Sequence, residues 1–209
     1  MADLKRTRHP DTIAAIATAP GAAALGIVRL SGPDALEVAD RIFLGERKPL
    51  KMKGFEAAYG WVVAGEEKLD EVVLLVMRAP QSYTREDMVE ITCHGGPVTL
   101  RAVLDAALAA GARLALPGEF TRRAFLNGRI DLSQAEAVAA LIASETEVAA
   151  RAALRGVAGE LGSRIDDLRL SLLEALALLE AGLDFAGEDI EFIPRDKLKE
   201  RMQDALARL

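Results

Sequence analysis

The hydrophobic pattern of this 209-residue chain changes character once, near residues 131–133, and that change calls for two folding units of different class. Ahead of it, short β-type runs alternate with short helical ones. Residues 12–19 and 25–31 read as strands around a turn at Pro20-Gly21. Residues 33–43 read as a helix with Ala35, Val38, Ala39 and Ile42 on one side. Residues 57–64 and 71–78 read as strands around a charged, Gly-containing loop over 65–70. A further strand follows over 88–93, then a helix over 98–110, a short strand over 113–116 and a helix over 119–127 ended at Gly128. Mixed order with hairpin-length gaps predicts an α+β domain rather than a doubly wound sheet.

After residue 131 the pattern is wholly helical. Ser133-Gln-Ala-Glu136 predicts a capping box, with the Ser oxygen accepting from the N3 amide while Glu136 reaches back. The stretch to about residue 158 is rich in Ala, Leu and Glu. Gly156, Gly159 and Gly162 interrupt it, each tolerable within one long helix at a cost. Leu161, Ile165, Leu168, Leu172, Leu176 and Leu179 then form one apolar stripe at helical spacing, and Gly182 suits a C-cap. Residues 183–194 carry Asp184, Glu188, Asp189 and Glu191 and read as an acidic connector. Pro194 fits the first turn of a third helix carrying Leu198, Met202, Leu206 and Leu209. That helix reaches residue 209 with its apolar period intact, so an incomplete all-α domain is expected over residues 131–209.

Composition narrows the chemistry. Cys93 is the only cysteine and His9 and His94 the only histidines, which argues against a disulfide framework, a CxxC knuckle or a zinc site, so no metal ligand is assigned. No run approaches the ~18 uninterrupted apolar residues of a membrane span. Residues 1–10 are a charged extension without the apolar core of a signal peptide. A soluble, cytoplasmic protein is expected. Residues 1–133 hold 17 Lys+Arg against 17 Asp+Glu, while residues 134–209 hold 9 against 15. Neither part has the basic surplus of a module that grips phosphate backbones unaided. There is no G-x-x-x-x-G-K-[ST] loop and no GxGxxG, so no GTP-binding residue is assigned in this chain.

Three segments can carry a ligand. In residues 21–29, small residues allow close backbone approach and lead into Arg29, a charge in an apolar strand that needs a carboxylate partner. In residues 83–97, Glu90 is a carboxylate in an apolar strand. It suits the paired N–H groups of a 2-aminopyrimidine edge such as a pterin, or alternatively it pairs with Arg29 or Arg123. His94-Gly-Gly-Pro97 opens the next helix, and Gly95 and Gly96 offer backbone amides there. Cys93 reads as a small core residue. His94 with Asp87 or Glu86 is the only acid–base pairing on offer, and no matched nucleophile accompanies it, so no catalytic residue is assigned. In residues 116–136, Arg122, Arg123 and Arg129 fall within eight positions, and arginine forks suit carboxylates such as those of a glutamate tail. A solvated helix edge is the plain alternative for Arg122. Arg129 lies at a Gly-made bend.

DTIAAIATAPGAAALGIVRLSG, SYTREDMVEITCHGGP, LPGEFTRRAFLNGRIDLSQAEAV and LDFAGEDIEF, in this order, closely resemble segments of the MnmE (TrmE) family of bacterial tRNA-modification GTPases. The resemblance runs from about Asp11 to the C-terminus. It implies a folate-binding and dimerisation domain over residues 11–130, similar to the tetrahydrofolate-binding domain of aminomethyltransferase, followed by the first segment of a helical domain. The ligand implied is 5-formyl- or 5,10-methylene-tetrahydrofolate. The family's folate contacts fall on Arg29, Glu90 and Arg129, the last usually Lys in relatives, so that the positive charge is kept. Implied partners are a second copy in a homodimer, the FAD protein MnmG in a heterotetramer, and tRNA, whose wobble uridine is modified at carbon 5. GTP, potassium and magnesium belong to a G domain for which this chain has no motif. Two other readings stand beside this one: a free-standing folate-dependent aminomethyltransferase-like protein, and a non-catalytic scaffold whose Arg29 and Glu90 pair in the core.

Overall fold

In the computed structural model, residues 11–184 and 194–208 are described. The chain divides into two compact units between Ile130 and Asp131.

The first unit is α+β. Strands β1 (Ile13–Ile16) and β2 (Leu25–Ser31) lead into helix α1 (Ala35–Ile42). Then come β3 (Phe43–Gly45), a 3₁₀ turn at Pro49–Lys51, β4 (Glu56–Ala64), β5 (Glu67–Met77) and β6 (Met88–His94). Helix α2 (Pro97–Ala109), β7 (Arg113–Leu114) and α3 (Glu119–Leu126) complete it. The seven strands form one sheet in the order β3-β4-β5-β6-β2-β1-β7, antiparallel except where β7 runs parallel to β1. Strand alternation sends Val28, Leu30, Leu74, Val76, Val89 and Ile91 to one face. There they pack with Leu36 and Val38 of α1 and Leu100, Val103 and Ala107 of α2. The intervening residues stand on the opposite face. One row across it runs Arg29, Glu90, Leu75 and Ala57, and the next runs Ile27, Thr92, Val73 and Tyr59. Tyr59 is 64% and Val73 44% exposed, so this second face is open and partly apolar.

Two local expectations change. The loop expected over residues 65–70 shrinks to Gly65 and Glu66, because β5 begins at Glu67. Its charged start is held to β4 by Lys68, whose Nζ lies 4.4 Å from the Trp61 ring centroid. The first strand is also shorter than its apolar run, ending at Ile16 rather than residue 19.

The second unit is helical: α4 (Leu132–Ile142), α5 (Glu147–Val157), α6 (Glu160–Asp184) and α7 (Arg195–Arg208). The capping box is present but is built from other residues than the expected Ser133 and Glu136. Asp131 accepts from the Gln134 amide at 2.8 Å, and the Gln134 side chain accepts from the Asp131 amide at 2.9 Å. An ionised carboxylate is a stronger acceptor than a hydroxyl, and Ser133 instead donates to Asp131 at 2.7 Å. The Ala-rich stretch breaks after Ile142 and restarts at Thr146, whose hydroxyl accepts from the Ala149 amide. Gly159, at φ +84°, separates α5 from α6, whereas Gly156 and Gly162 lie within helices. Gly182 is likewise inside α6 and caps nothing. The predicted leucine stripe is only partly covered: Leu168 is buried, but Leu161, Ile165, Leu172 and Leu176 remain 47–54% exposed among the described residues. Most of the acidic connector and Leu209 lie outside the described residues.

Candidate ligand-binding site

Adjacent central strands β2 and β6 place Arg29 directly opposite Glu90 on the open face of the sheet. Arg29 Nε and Nη2 both donate to Glu90 Oε1, at 2.8 and 2.7 Å. The side chains are 27% and 20% exposed, so a ligand can still reach them. Each carboxylate oxygen has two acceptor positions, so Glu90 keeps capacity for further N–H donors after Arg29 has taken one side. The guanidinium carbon of Arg29 lies 5.8 Å from the Tyr83 ring centroid and 5.6 Å from that of Phe120, which confines it between two aromatic rings.

Arg129 reaches the same place from α3. Gly128 takes φ +69° after the last helical turn, and the Arg129 amide then donates back to Ala124 at 2.8 Å. This bend sets the Arg129 guanidinium over the Tyr83 ring, 4.8 Å from its centroid. The Tyr83 hydroxyl and Thr121 Oγ1 are 3.0 Å apart, which holds the ring against α3. Tyr83 is thus the shared wall that brings Arg29, Glu90 and Arg129 into one neighbourhood. Neither Tyr83 nor Phe120 stands out in the sequence, because an aromatic in an irregular loop or a short helix has no period to betray it.

The other arginines of that segment behave differently. Arg122 is exposed. Arg123, expected beside it as a tail contact, is completely buried and structural. It donates to the Asp11 carboxylate at 2.9 Å, to Glu86 at 3.2 Å and to Glu119 at 3.2 Å. Arg113 closes the network, 2.7 Å from Glu119 and 2.6 Å from Asp11. A buried guanidinium must be met by carboxylates, and three surround this one. The Arg113 hydrogen bond holds the Glu119 carboxyl down at about 2, against the opposing effect of its burial. Burial pushes the Asp11 carboxyl up, but Arg113 and Arg123 outweigh it and leave its pKa below the ordinary value. Glu86 also accepts from Ser31 at 2.8 Å, and Asn127 donates to the Thr84 carbonyl at 2.6 Å. The loop carrying Tyr83 is therefore tied down on both sides.

His94 finds neither of its expected acids. Its Nδ1 lies 2.7 Å from Asp70 Oδ1, and its backbone amide donates to Asp70 Oδ2 at 2.7 Å. Asp70 is reachable because β5 extends further back than its apolar run. This hydrogen bond raises the imidazole pKa. Asp87 accepts instead from the Ala79 amide. Gly95 serves the fold: a Cβ there would sit 2.6 Å from the Ala23 carbonyl oxygen. Cys93 is buried, and burial pushes its thiol up to about 11, in keeping with a core residue. Among the described residues no group of three or more His, Cys, Asp or Glu is arranged to hold a metal, and no helix is long and apolar enough to cross a membrane.

Comparison with known proteins agrees with the resemblance. The family model described as "GTP-binding protein TrmE N-terminus" matches residues 12–129, and that described as "MnmE helical domain" matches residues 132–209. A protein of Shouchella clausii named tRNA modification GTPase MnmE is 50% identical over 201 residues, covering 95% of this chain and 44% of the relative. Proteins of the same name from Chlorobaculum tepidum and Symbiobacterium thermophilum are each 53% identical, covering 91% and 90% of this chain and 40% and 42% of their own lengths. The chain thus spans less than half the length of these curated relatives. Two family models that together take in both structural units, and relatives identical at half their aligned positions, place this chain in the MnmE (TrmE) family, of which it carries the N-terminal and helical domains.

Proposed function

We propose that the first unit, residues 11–130, binds a one-carbon tetrahydrofolate, 5-formyl or 5,10-methylene, and dimerises, serving a cytoplasmic tRNA-modification GTPase. In that protein the G domain supplies GTP hydrolysis with potassium and magnesium. MnmG is the partner, and carbon 5 of the wobble uridine in tRNA is the target. The chain itself then contributes binding rather than catalysis.

The observation that carries this reading is the pairing of Glu90 and Arg29 on the open sheet face with Arg129 across the Tyr83 ring. Glu90 accepts the N–H pair of the pterin's 2-aminopyrimidinone edge, oriented by Arg29. Arg129 meets a carboxylate of the glutamate tail at the other end. The ligand bends round Tyr83 between the two, since Arg29 and Arg129 lie 5.8 and 4.8 Å from the centroid of that one ring. A scaffold reading draws on the same short Arg29–Glu90 contact, and ligand titration separates the two.

Calorimetric titration of the chain with 5-formyltetrahydrofolate should give saturable binding. Glu90→Gln, which keeps shape but loses the charge, should weaken it about tenfold or more, since hydrogen bonds to a charged group contribute roughly 1.5–3 kcal/mol. Unchanged affinity in Glu90→Gln would remove Glu90 from the site. No saturable binding by the wild-type chain would favour the scaffold.

A further inference from the structure

Among the described residues, two that are not glycine adopt a positive φ: Phe55 at 63° and Arg85 at 59°. Both line the same groove, of about 490 Å3, together with Met77, Pro80, Tyr83 and Arg129. Such backbone is costly for a residue with a Cβ and persists where its surroundings impose it, often at binding sites. The groove continues the face already described. Met77 lies two residues beyond Leu75 on β5, hence on the same face, and Leu75 pairs with Glu90. Tyr83 belongs to both the Arg29–Glu90 neighbourhood and the groove.

The groove carries two cations of a particular kind. Elsewhere in this unit Arg29, Arg47, Arg78, Arg101, Arg113 and Arg123 each lie beside a carboxylate, and Arg41, away from the groove, donates to the Ala110 carbonyl. Arg85 instead donates to the Asn127 carbonyl at 3.2 Å, and Arg129 stacks on Tyr83. Neither forms an ion pair with an acidic side chain among the described residues. Two guanidinium groups in a groove whose lining also includes Phe55, Met77 and Pro80 fit a chain that alternates carboxylates with methylene segments.

We infer that the groove recognises a folate bearing several glutamyl residues, with Arg129 taking the first carboxylates and Arg85 those of the next residue. This rests on the folate reading above, and goes beyond it in naming the oligoglutamyl form as the preferred ligand and Arg85 as the residue that selects it. The strained backbone at Arg85 then serves to aim its side chain along the groove.

The test compares 5-formyltetrahydrofolate carrying one and three glutamates on the full 209-residue chain by calorimetry. The triglutamate should bind about two- to fivefold more tightly, the scale of one further solvent-accessible ion pair. That advantage should shrink in about 0.5 M salt, where exposed charges are screened. Arg85→Gln should abolish the preference while changing monoglutamate affinity by less than about twofold. Arg85→Gly, which relieves the backbone, should do the same with thermal stability kept or raised. Equal affinity of the wild-type chain for the two ligands overturns the inference and leaves the folate site standing. A triglutamate preference that survives both substitutions removes Arg85 from the role. Binding of neither ligand overturns the folate reading itself, and this inference with it.

Discussion

Arg29 and Arg123 are both arginines met by carboxylates, yet burial assigns them opposite roles. Arg29 is about a quarter exposed, shares one carboxylate and stands between two rings, so it can be reached. Arg123 is sealed among three carboxylates, two of which, Asp11 and Glu119, it shares with Arg113, so its loss would strand Glu86 and leave the other two to Arg113 alone. The Arg29 partnership was half-visible in sequence, because two charges in apolar strands invite pairing. That of Arg123 was less so: its fourth-neighbour Glu119 is local, but Asp11 is 112 positions away and Glu86 is 37. The network has a pH signature. Glu119 titrates at about 2 in the fold against an ordinary 4.5. A depressed carboxyl contributes stability that is fully present above the unfolded value and lost as pH falls toward the folded one. Urea unfolding should therefore show stability declining as pH drops from 4.5 toward 2. Glu119→Gln should be less stable at neutral pH and show a shallower decline across that window. An identical slope in the variant would mean that the network does not hold Glu119 ionised.

At the scale of elements, strand alternation and helix periodicity were legible wherever one face is buried. Strand β2 matches its expected bounds and β6 adds only His94, since each is a short apolar run broken by a single charge and bounded by turn residues. Helix ends were harder to place. Asp131-Leu-Ser-Gln134 and Ser133-Gln-Ala-Glu136 both spell a capping box, and only the structure shows that Asp131 takes the role. The break between α4 and α5 was missed because Ser144, Glu145 and Thr146 include neither Gly nor Pro, and the signal is the Thr146 cap alone. Alanine substitution distinguishes the two boxes. Asp131→Ala should cost about 1 kcal/mol in chemical unfolding, the usual loss for an N-cap acceptor. Ser133→Ala should cost a few tenths of a kcal/mol, since its hydroxyl only donates to Asp131. A larger penalty at Ser133 would reverse the assignment.

At the scale of the whole molecule, the change of period near residue 131 announced the division seen between Ile130 and Asp131, but it gave no indication of which surfaces would be left open. Surface use depends on the sheet, and the sheet on long-range pairing. Its edges are poor templates for a second copy: β3 has three residues and β7 two, and short edge strands resist edge-to-edge addition. The helix-covered face is occupied by α1 and α2. What remains is the open face, where Tyr59 and Val73 stand directly opposite each other on β4 and β5 and are 64% and 44% exposed. Exposed apolar groups gathered on one face mark an interaction surface. The balance of 17 basic and 17 acidic residues over positions 1–133 means that two copies meet without strong mutual repulsion. The proposed homodimer is therefore expected to form through this face. Sedimentation at micromolar concentration should show a species of twice 22.3 kDa. Val73→Glu would set like charges into the contact and should weaken association about tenfold or more, as loss of a central apolar contact does. Val98→Glu, on α2 of the helix-covered side and 83% exposed, should leave it intact. A wild-type chain that sediments as a monomer would refute the dimer, and dissociation by Val98→Glu but not Val73→Glu would move the contact to the helix-covered side.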